Sequence, residues 1–490
     1  MYNNMKKYIS VIAGAVLMFA ACKPSDFGDV NESPYALQGT SSRSLLTNAL
    51  KNLAGTVSGY NSSVFYVQYL SEGPYPGASR YSTRNFSFDG NYTGPLYDLQ
   101  AIINANTGKP NVVPVSSEPG LDGSVENQIA VARIMKAYFY WWMTDRWGDI
   151  PYSQALQGAA NVLPKYDTQE SIYTDLFKEL REAVAQINTA TTGVGGDILL
   201  GGDMTAWKRF ANTMRMQMAL RYKDRKNAVG KTEFNDAITA GVITSVSQDV
   251  YYRFIANDPN NWNPYYANYS IANRNDYAIS ITMTNYMNPK NDPRLRIYAE
   301  TLPSGNVVGL IYGSSTARNI PNVYSRIGTS LRAAGAPALV FSRAQVLFAM
   351  AEMTLPDQAW LPGGHAQAAI YYNQAIEASF VTWGVASPTA AAATYAAQAN
   401  VVYNPANALQ QIMTEKWVHL YLNGYESWAD WRRTGFPVLT PSATPSRSTT
   451  IPVRQAYGTT EVTVNGVAYR EAVARQGADN LNTRVWWDVN

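Results

Sequence analysis

The chain of 490 residues reads as a mainly α protein, built from paired helices with long irregular loops between them. Three observations lead there. Apolar residues recur at spacings of three and four along many separate segments, cap and stop residues bound those segments, and the stretches between them are rich in Gly, Asn and Tyr. Composition agrees with this class: 46% hydrophobic residues can fill a large core, and 15% charged, against roughly 25% in an average soluble domain, excludes disorder and coiled coil.

Taken in order, Lys6 and Lys7 precede the apolar run Tyr8 to Phe19, and Ala20-Ala21-Cys22 follows. Basic, apolar, then small residues describe a secretory signal over 1–21, and the run is shorter than the about 20 residues that span a bilayer. The sole cysteine after Ala20-Ala21 resembles the lipobox of bacterial lipoproteins, which makes Cys22 the expected lipid anchor and 22–40, with its Pro, Gly, Ser and acidic residues, a flexible tether.

Helices are expected near 43–58, 95–106, 168–188, 203–223, 232–241 and 276–288. Ser124 opens a further one, in which Val125, Ile129, Ala132, Met135, Phe139 and Trp142 form one stripe and Ile134, Tyr138 and Trp141 a second, so it is buried on two sides. Gly148 and Pro151 stop it. Asp203 caps a stripe of Trp207, Phe210, Met214 and Met218. Ser342 and Gln345 make a capping box for a helix that ends at Pro356, and a partner follows over about 365–382. Asn404-Pro405 starts another, closed by Gly424 before 426–434. Recurrence every 30 to 45 residues suggests a tetratricopeptide-like stack. Long loops cover 59–94, 108–123, 244–275, 301–338 and 435–485, and in the last, Val462 and Val464 alternating before Asn465-Gly466 predict a small β-hairpin over 461–469.

The same residues exclude several functions. Lys+Arg 39 against Asp+Glu 36 leaves +3 with no run of like charge, so no nucleic-acid footprint exists. One Cys and two His give neither an internal disulfide nor a zinc site of the usual kind, and no cofactor or nucleophile motif occurs. Asn257 to Asn261 could hold calcium through oxygen ligands, although Asx-rich turns are the commoner use of such a run. His365 and His419 read as helix-face residues. Tyr 34 and Trp 12 against Phe 14 favour rings with a polar handle, suited to half-wet surfaces.

Several landmarks together resemble the SusD/RagB family of nutrient-binding outer-membrane lipoproteins, in its second, SusD-like branch. They are Arg133-Ile-Met-Lys-Ala-Tyr-Phe-Tyr140, Asp145-Arg-Trp-Gly-Asp-Ile-Pro-Tyr152, Asn291-Asp-Pro-Arg-Leu295, the segment from Tyr425 to Pro437, and Asn482-Thr-Arg-Val-Trp-Trp-Asp488, in that order behind the lipobox. The resemblance implies one binding domain over 41–490, with eight core helices as four tetratricopeptide-like pairs. It also implies a place on the outer membrane facing the exterior, and a SusC-like TonB-dependent transporter as partner, to which oligosaccharide or peptide is handed without catalysis.

Half-buried charges need partners, so Asp145, Asp149, Glu426, Asp430, Arg432 and Arg433, set among tryptophans, are expected to serve the fold as cross-helix ion pairs, with Arg146 structural beside them. Glu426 and Asp430 sit four apart on one helix face, whereas a glycosidase pair must flank a sugar from opposite sides. A neutral glycan calls for flat aromatic faces with amides or Arg beside them. The densest such set is 251–277, including Trp262, Asn263, Tyr265, Tyr266, Tyr269 and Arg274, with Trp262 the main platform; Tyr75, Arg80, Tyr81, Arg84, Phe86 and Tyr92 make a second. Peptide capture, a surface glycoside hydrolase and a helical scaffold stay open as alternatives.

Overall fold

The computed structural model describes residues 39–489; the signal segment, Cys22 and residues 23–38 of the tether lie outside the described residues. Thr40, the last tether residue, is already paired, opposite Val115 in a short parallel bridge. Ten helices carry the architecture: α1 (Ser42–Asn52), α2 (Tyr97–Asn106), α3 (Val125–Trp147), α4 (Gln169–Gln186), α5 (Met204–Leu220), α6 (Asn227–Ala240), α7 (Arg343–Met353), α8 (Gly364–Thr382), α9 (Ala408–His419) and α10 (Gly424–Thr434). Successive helices pack as pairs, and the pairs stack through α2 on α3, α4 on α5, α5 on α7 and α7 on α9. The four expected pairs run from α3 to α10. The pair α1/α2 precedes them.

Local sequence explains most boundaries. Thr168, Asp203 and Ser342 accept backbone N–H groups at the starts of α4, α5 and α7, the last in a full capping box. On α4, Ile172, Tyr173, Leu176, Phe177, Leu180 and Ala183 bury one stripe, whereas α3 is buried on nearly every side. At Gly148, φ is 80° and a Cβ would collide with the side chain of Gln476. That amide accepts from Asp149 N at 2.7 Å and donates to Trp147 O at 3.0 Å, locking the end of α3 to a distant helix.

Three expectations are corrected. Residues 461–469 form no hairpin but a corner between α11 (Thr459–Val464) and α12 (Gly466–Gln476). Burial of Ala468 and Ala472, four apart, outweighs the β preference of Val462 and Val464, which stay exposed. The segment 276–288 splits into a strand, Tyr277–Ile279, and a shorter helix, Ile281–Met287, capped by Ser280. Gly424 opens α10 rather than closing α9. A helix over Pro388–Ala396, rich in alanine and weakly patterned, was not expected.

The loops form a second layer on α9 and α10. Val64 to Leu70, Tyr265, Tyr269, Ile279, Met283 and Tyr298 share one core with Trp417, Tyr421 and Trp428. Irregular backbone leaves carbonyls without ladder partners, and the polar handles of the rings satisfy them. Tyr69 donates to Trp417 O, Trp417 to Val67 O, Tyr298 to Val418 O, Tyr312 to Phe65 O and Trp428 to Pro452 O, all at 2.6–2.9 Å. Much of the Tyr and Trp surplus therefore serves the interior.

At the junction of the helix layer and the loops, Arg221, just after α5, has a fully buried side chain. It reaches Glu426 Oε2 at 2.7 Å, Asp145 Oδ2 at 3.5 Å and Asp430 Oδ1 at 3.6 Å. Lys416 Nζ lies 2.7 Å from Asp430 Oδ2, and Arg433 pairs with Glu352 on α7 and with Asp430. Asp145 Oδ1 also accepts from Trp487 Nε1 at 2.8 Å and Tyr173 OH at 2.5 Å. Among the described residues no carboxylate lies within 4.0 Å of the Arg432 guanidinium. Arg432 donates to Asp145 O and Val453 O and stacks its guanidinium 3.7 Å from the Trp428 ring centre and 4.6 Å from that of Trp487. Arg146 lies 4.0 Å from the Trp142 and Trp147 ring centres and donates to Gln455, and Asp149 holds Gln169 N and Arg475. Burial pushes Asp430 up, but Lys416, Arg433 and Arg221 together outweigh it and hold the carboxyl at about 2.

A second buried centre joins Arg294 of the Asn291-Asp-Pro-Arg segment to Asp292 and Glu415, both at 2.7 Å. Beside it, His419 lies buried between Ser342 Oγ at 2.7 Å and Ser379 Oγ at 3.0 Å, not on a solvent face. Burial, with the Arg294 and Lys416 cations, lowers its pKa to about 3.

Two predictions follow from these centres. Arg221→Met should cost about 3–5 kcal/mol in urea unfolding, because three carboxylates lose a buried cation, and Asp430→Asn should also lower the melting temperature; a loss under about 1 kcal/mol for Arg221→Met would mean the network contributes little. For His419 the folded pKa is depressed, so stability is complete above the unfolded value near 6.5 and falls as pH drops from there towards 3, at up to about 1.4 kcal/mol per pH unit. Between pH 7 and pH 5 the parent should lose about 2 kcal/mol more than His419→Gln. Equal losses would reject the neutral buried imidazole.

Candidate functional site

Residues 251–277 leave the strand Val250–Tyr252, which pairs antiparallel with Ala338–Phe341, and return through the strand Tyr277–Ile279. Short-range caps shape the path between. Asp258 Oδ1 accepts from Asn260 N at 3.0 Å, and Asn261 is buried, taking the Tyr252 hydroxyl at 2.8 Å. The Asx run so spends side-chain oxygens on its own turn, and among the described residues no cluster of three or more His, Cys, Asp or Glu could hold a metal. Asn263 is also buried; it caps the turn Pro264–Tyr266 through Tyr265 N at 2.9 Å and donates to Ala336 O at 2.9 Å.

Trp262 leaves this frame half-buried. Its Nε1 donates to Ala256 O at 2.8 Å and Tyr266, half-buried beside it, meets it edge-on with ring centres 5.4 Å apart and planes at 76°. The indole is thus held by a hydrogen bond and an aromatic contact, with part of its surface in solvent. Arg274 is exposed, pairs with Asp276 at 2.5 Å and lies 5.4 Å from the ring centre of Tyr75, which is 68% exposed.

The remaining sequence candidates sit behind these. Tyr265 is buried with its hydroxyl against Gly59 N and O, and Tyr269 is buried with its hydroxyl on Tyr277 O and Arg332 5.3 Å from its ring centre. Tyr81 is buried, and its hydroxyl accepts from Ser442 N at 3.1 Å. These rings and Asn263 have no free face, because the loops need them as their core. Around Tyr75, Arg80 donates to Thr444 O, Arg84 to Asp479 O and Tyr92 to Pro151 O, clamping their loop to other segments. Tyr60 was missed: it stacks on Tyr277 at 3.9 Å and meets Tyr265 edge-on at 4.9 Å. Its one sequence signal is the Gly59-Tyr60-Asn61 turn, which names no distant partner.

The carboxylates Glu426 and Asp430 face the interior. The space beside Glu426 and Asp145 is a cavity of about 40 Å³ among Trp141, Trp142 and Trp428, room for water rather than for a sugar ring. Among the described residues no helix is long and apolar enough to cross a membrane.

Relatives of known structure share the fold. A chitin-binding SusD homologue from Flavobacterium johnsoniae is 26% identical, with a TM-score of 0.75 over 92% of this chain and 98% of its own. A SusD homologue from Bacteroides uniformis, also 26% identical, matches at 0.74 over 91% and 99%, and one from Bacteroides thetaiotaomicron, 22% identical, shares the fold at 0.74 over 91% and 99%. No curated protein sequence matches the chain. The SusD-like family model described as starch-binding and associating with the outer membrane matches residues 34–458, and with the helix pairs and loop layer above it shows that this chain belongs to that family.

Proposed function

We propose that the protein is a cell-surface lipoprotein that captures oligosaccharide on the 251–277 face and passes it to a SusC-like TonB-dependent transporter. The observation that carries this is Trp262, whose ring is braced by Ala256 O and Tyr266 yet leaves part of its surface in solvent, while Tyr75 and Arg274 are exposed and packed on one another. A sugar offers apolar C–H faces and hydroxyls, and a fixed ring meets it without paying to order a mobile one. The chitin-binding relative supports a glycan over a peptide. In this reading residues 41–490 work as one domain behind a signal over 1–21 and a tether from Cys22 to Thr40. The role is binding and not turnover, since Glu426 and Asp430 are spent on Arg221 and Lys416.

Covering on the order of 50–100 Å² of the indole at about 25 cal/mol per Å² contributes roughly 1–2.5 kcal/mol, about five- to seventy-fold in affinity. Trp262→Ala should weaken binding of chitin or starch oligosaccharides by that factor in calorimetry, with the melting curve nearly unchanged. Unchanged binding, or a loss of about 3–5 kcal/mol of stability as for a core ring, would move the platform elsewhere. Cys22→Ala should release the protein from membranes on cell fractionation; firm retention would reject the anchor. Mild-detergent purification should bring down one abundant barrel protein, and its absence would count against the transporter.

A further inference from the structure

A second polar pocket opens far from the aromatic loop in sequence, where α2, α3 and α4 meet the segment after the bridge Ile150–Pro151. It encloses about 230 Å³, below the roughly 300–1,000 Å³ of sites for drug-sized ligands, so it suits one ring and not a chain. Lys136 on α3 donates to the neutral Gln100 Oε1 at 2.6 Å, and among the described residues no carboxylate comes within 4.0 Å of its amine. An ammonium has three protons, so two remain to spend. Burial, opposed by Glu179 and reinforced by Arg133, lowers its pKa to about 8, which leaves it charged at neutral pH.

Acceptors face the same space. Asp175 takes the Tyr152 hydroxyl on Oδ2 at 2.7 Å, while among the described residues its Oδ1 meets Lys178 alone, at 3.8 Å. Tyr140 and Tyr152 close one side, edge-on at 4.7 Å. The lining charges cancel: Arg133 is held by Glu179, and Lys136 stands against Asp175. A net anion or cation gains little there, whereas a neutral molecule with adjacent hydroxyls can accept from the amine and donate to the carboxylate at once.

We propose that the pocket of Gln100, Arg133, Lys136, Tyr152 and Asp175 is a separate site for one neutral sugar ring, a free monosaccharide or the end of a chain. It shares with the preceding reading only the class of ligand. The test is ligand-detected NMR on the full chain in mild detergent with glucose, N-acetylglucosamine and xylose in turn, and glucuronate as the anionic control. At least one neutral sugar should saturate the protein in the millimolar range and shield Lys136 from acetylation as read by mass spectrometry. Lys136→Met should weaken that binding about ten-fold or more, as for a lost bond to a charged group, and Trp262→Ala should leave it unchanged. Should Lys136→Met fail to fold, Asp175→Asn, whose amide oxygen still accepts from Tyr152, carries the same expectation. No saturation by any of the three sugars, binding of glucuronate alone, or Lys136→Met binding as the parent does would overturn the site. Loss in Trp262→Ala with retention in Lys136→Met would overturn it too, while leaving the aromatic face standing.

Discussion

Arg221 puts one cation where α3 and α10 each turn carboxylates inward, and the stack and its loop layer are joined at that point. Asp145 brings α3, Glu426 and Asp430 bring α10, Lys416 adds α9, and Glu352 draws in α7 through Arg433. Four carboxylates, Asp145, Glu352, Glu426 and Asp430, share three cations, Arg221, Lys416 and Arg433. Charges this deep persist only in a complete set, because removing one member leaves another desolvated and unpaired. Packing alone would let neighbouring helices slide, whereas directional pairs fix their register, and the tryptophans 428 and 487 on the Arg432 guanidinium extend that constraint to residues 485–488.

The loop layer depends on this frame. The irregular loops satisfy part of their own backbone, and Tyr and Trp side chains reach across to further carbonyls such as those of Trp417, Val67, Val418, Phe65 and Pro452. The aromatic surplus thereby has two uses. Buried rings such as Tyr69, Tyr81, Tyr265, Tyr269 and Tyr298 hold the loops, and among the rings left part-exposed are Trp262, Tyr266 and Tyr75. A rigid display of this kind costs little entropy when a ligand binds.

Helices were legible where local rules decide them. Capping by Thr168, Asp203 and Ser342, the Gly148 stop and the stripe of α4 each depend on residues within one or two turns. At the corner 459–476 the converse holds: Val462, Val464 and Asn465-Gly466 carry a hairpin pattern, but contacts of Ala468 and Ala472 with the distant core favour helix. Within the candidate face, Trp262 and Arg274 were legible by residue type. The burial of Asn263, Tyr265, Tyr269 and Tyr81 was not, since each is enclosed by segments remote in sequence, Ala336, Gly59, Arg332 and Ser442 among them.

By itself the sequence determined the class of fold, the helix ends that carry a local cap or stop, such as those at Thr168, Asp203, Ser342 and Gly148, and the family, because periodicity, caps and ordered motifs are written in neighbouring residues. It also determined that Glu426, Asp430 and their neighbours need partners, since charge among tryptophans is costly wherever it lies. Only the tertiary structure decided which partners. Arg221 reaches Glu426 and Asp430 from a segment remote in sequence, and Arg432 packs on indole faces and donates to the carbonyls of Asp145 and Val453. Which aromatic rings face solvent was decided at the same level, for a ring's exposure depends on what the rest of the chain packs against it and not on the residues beside it.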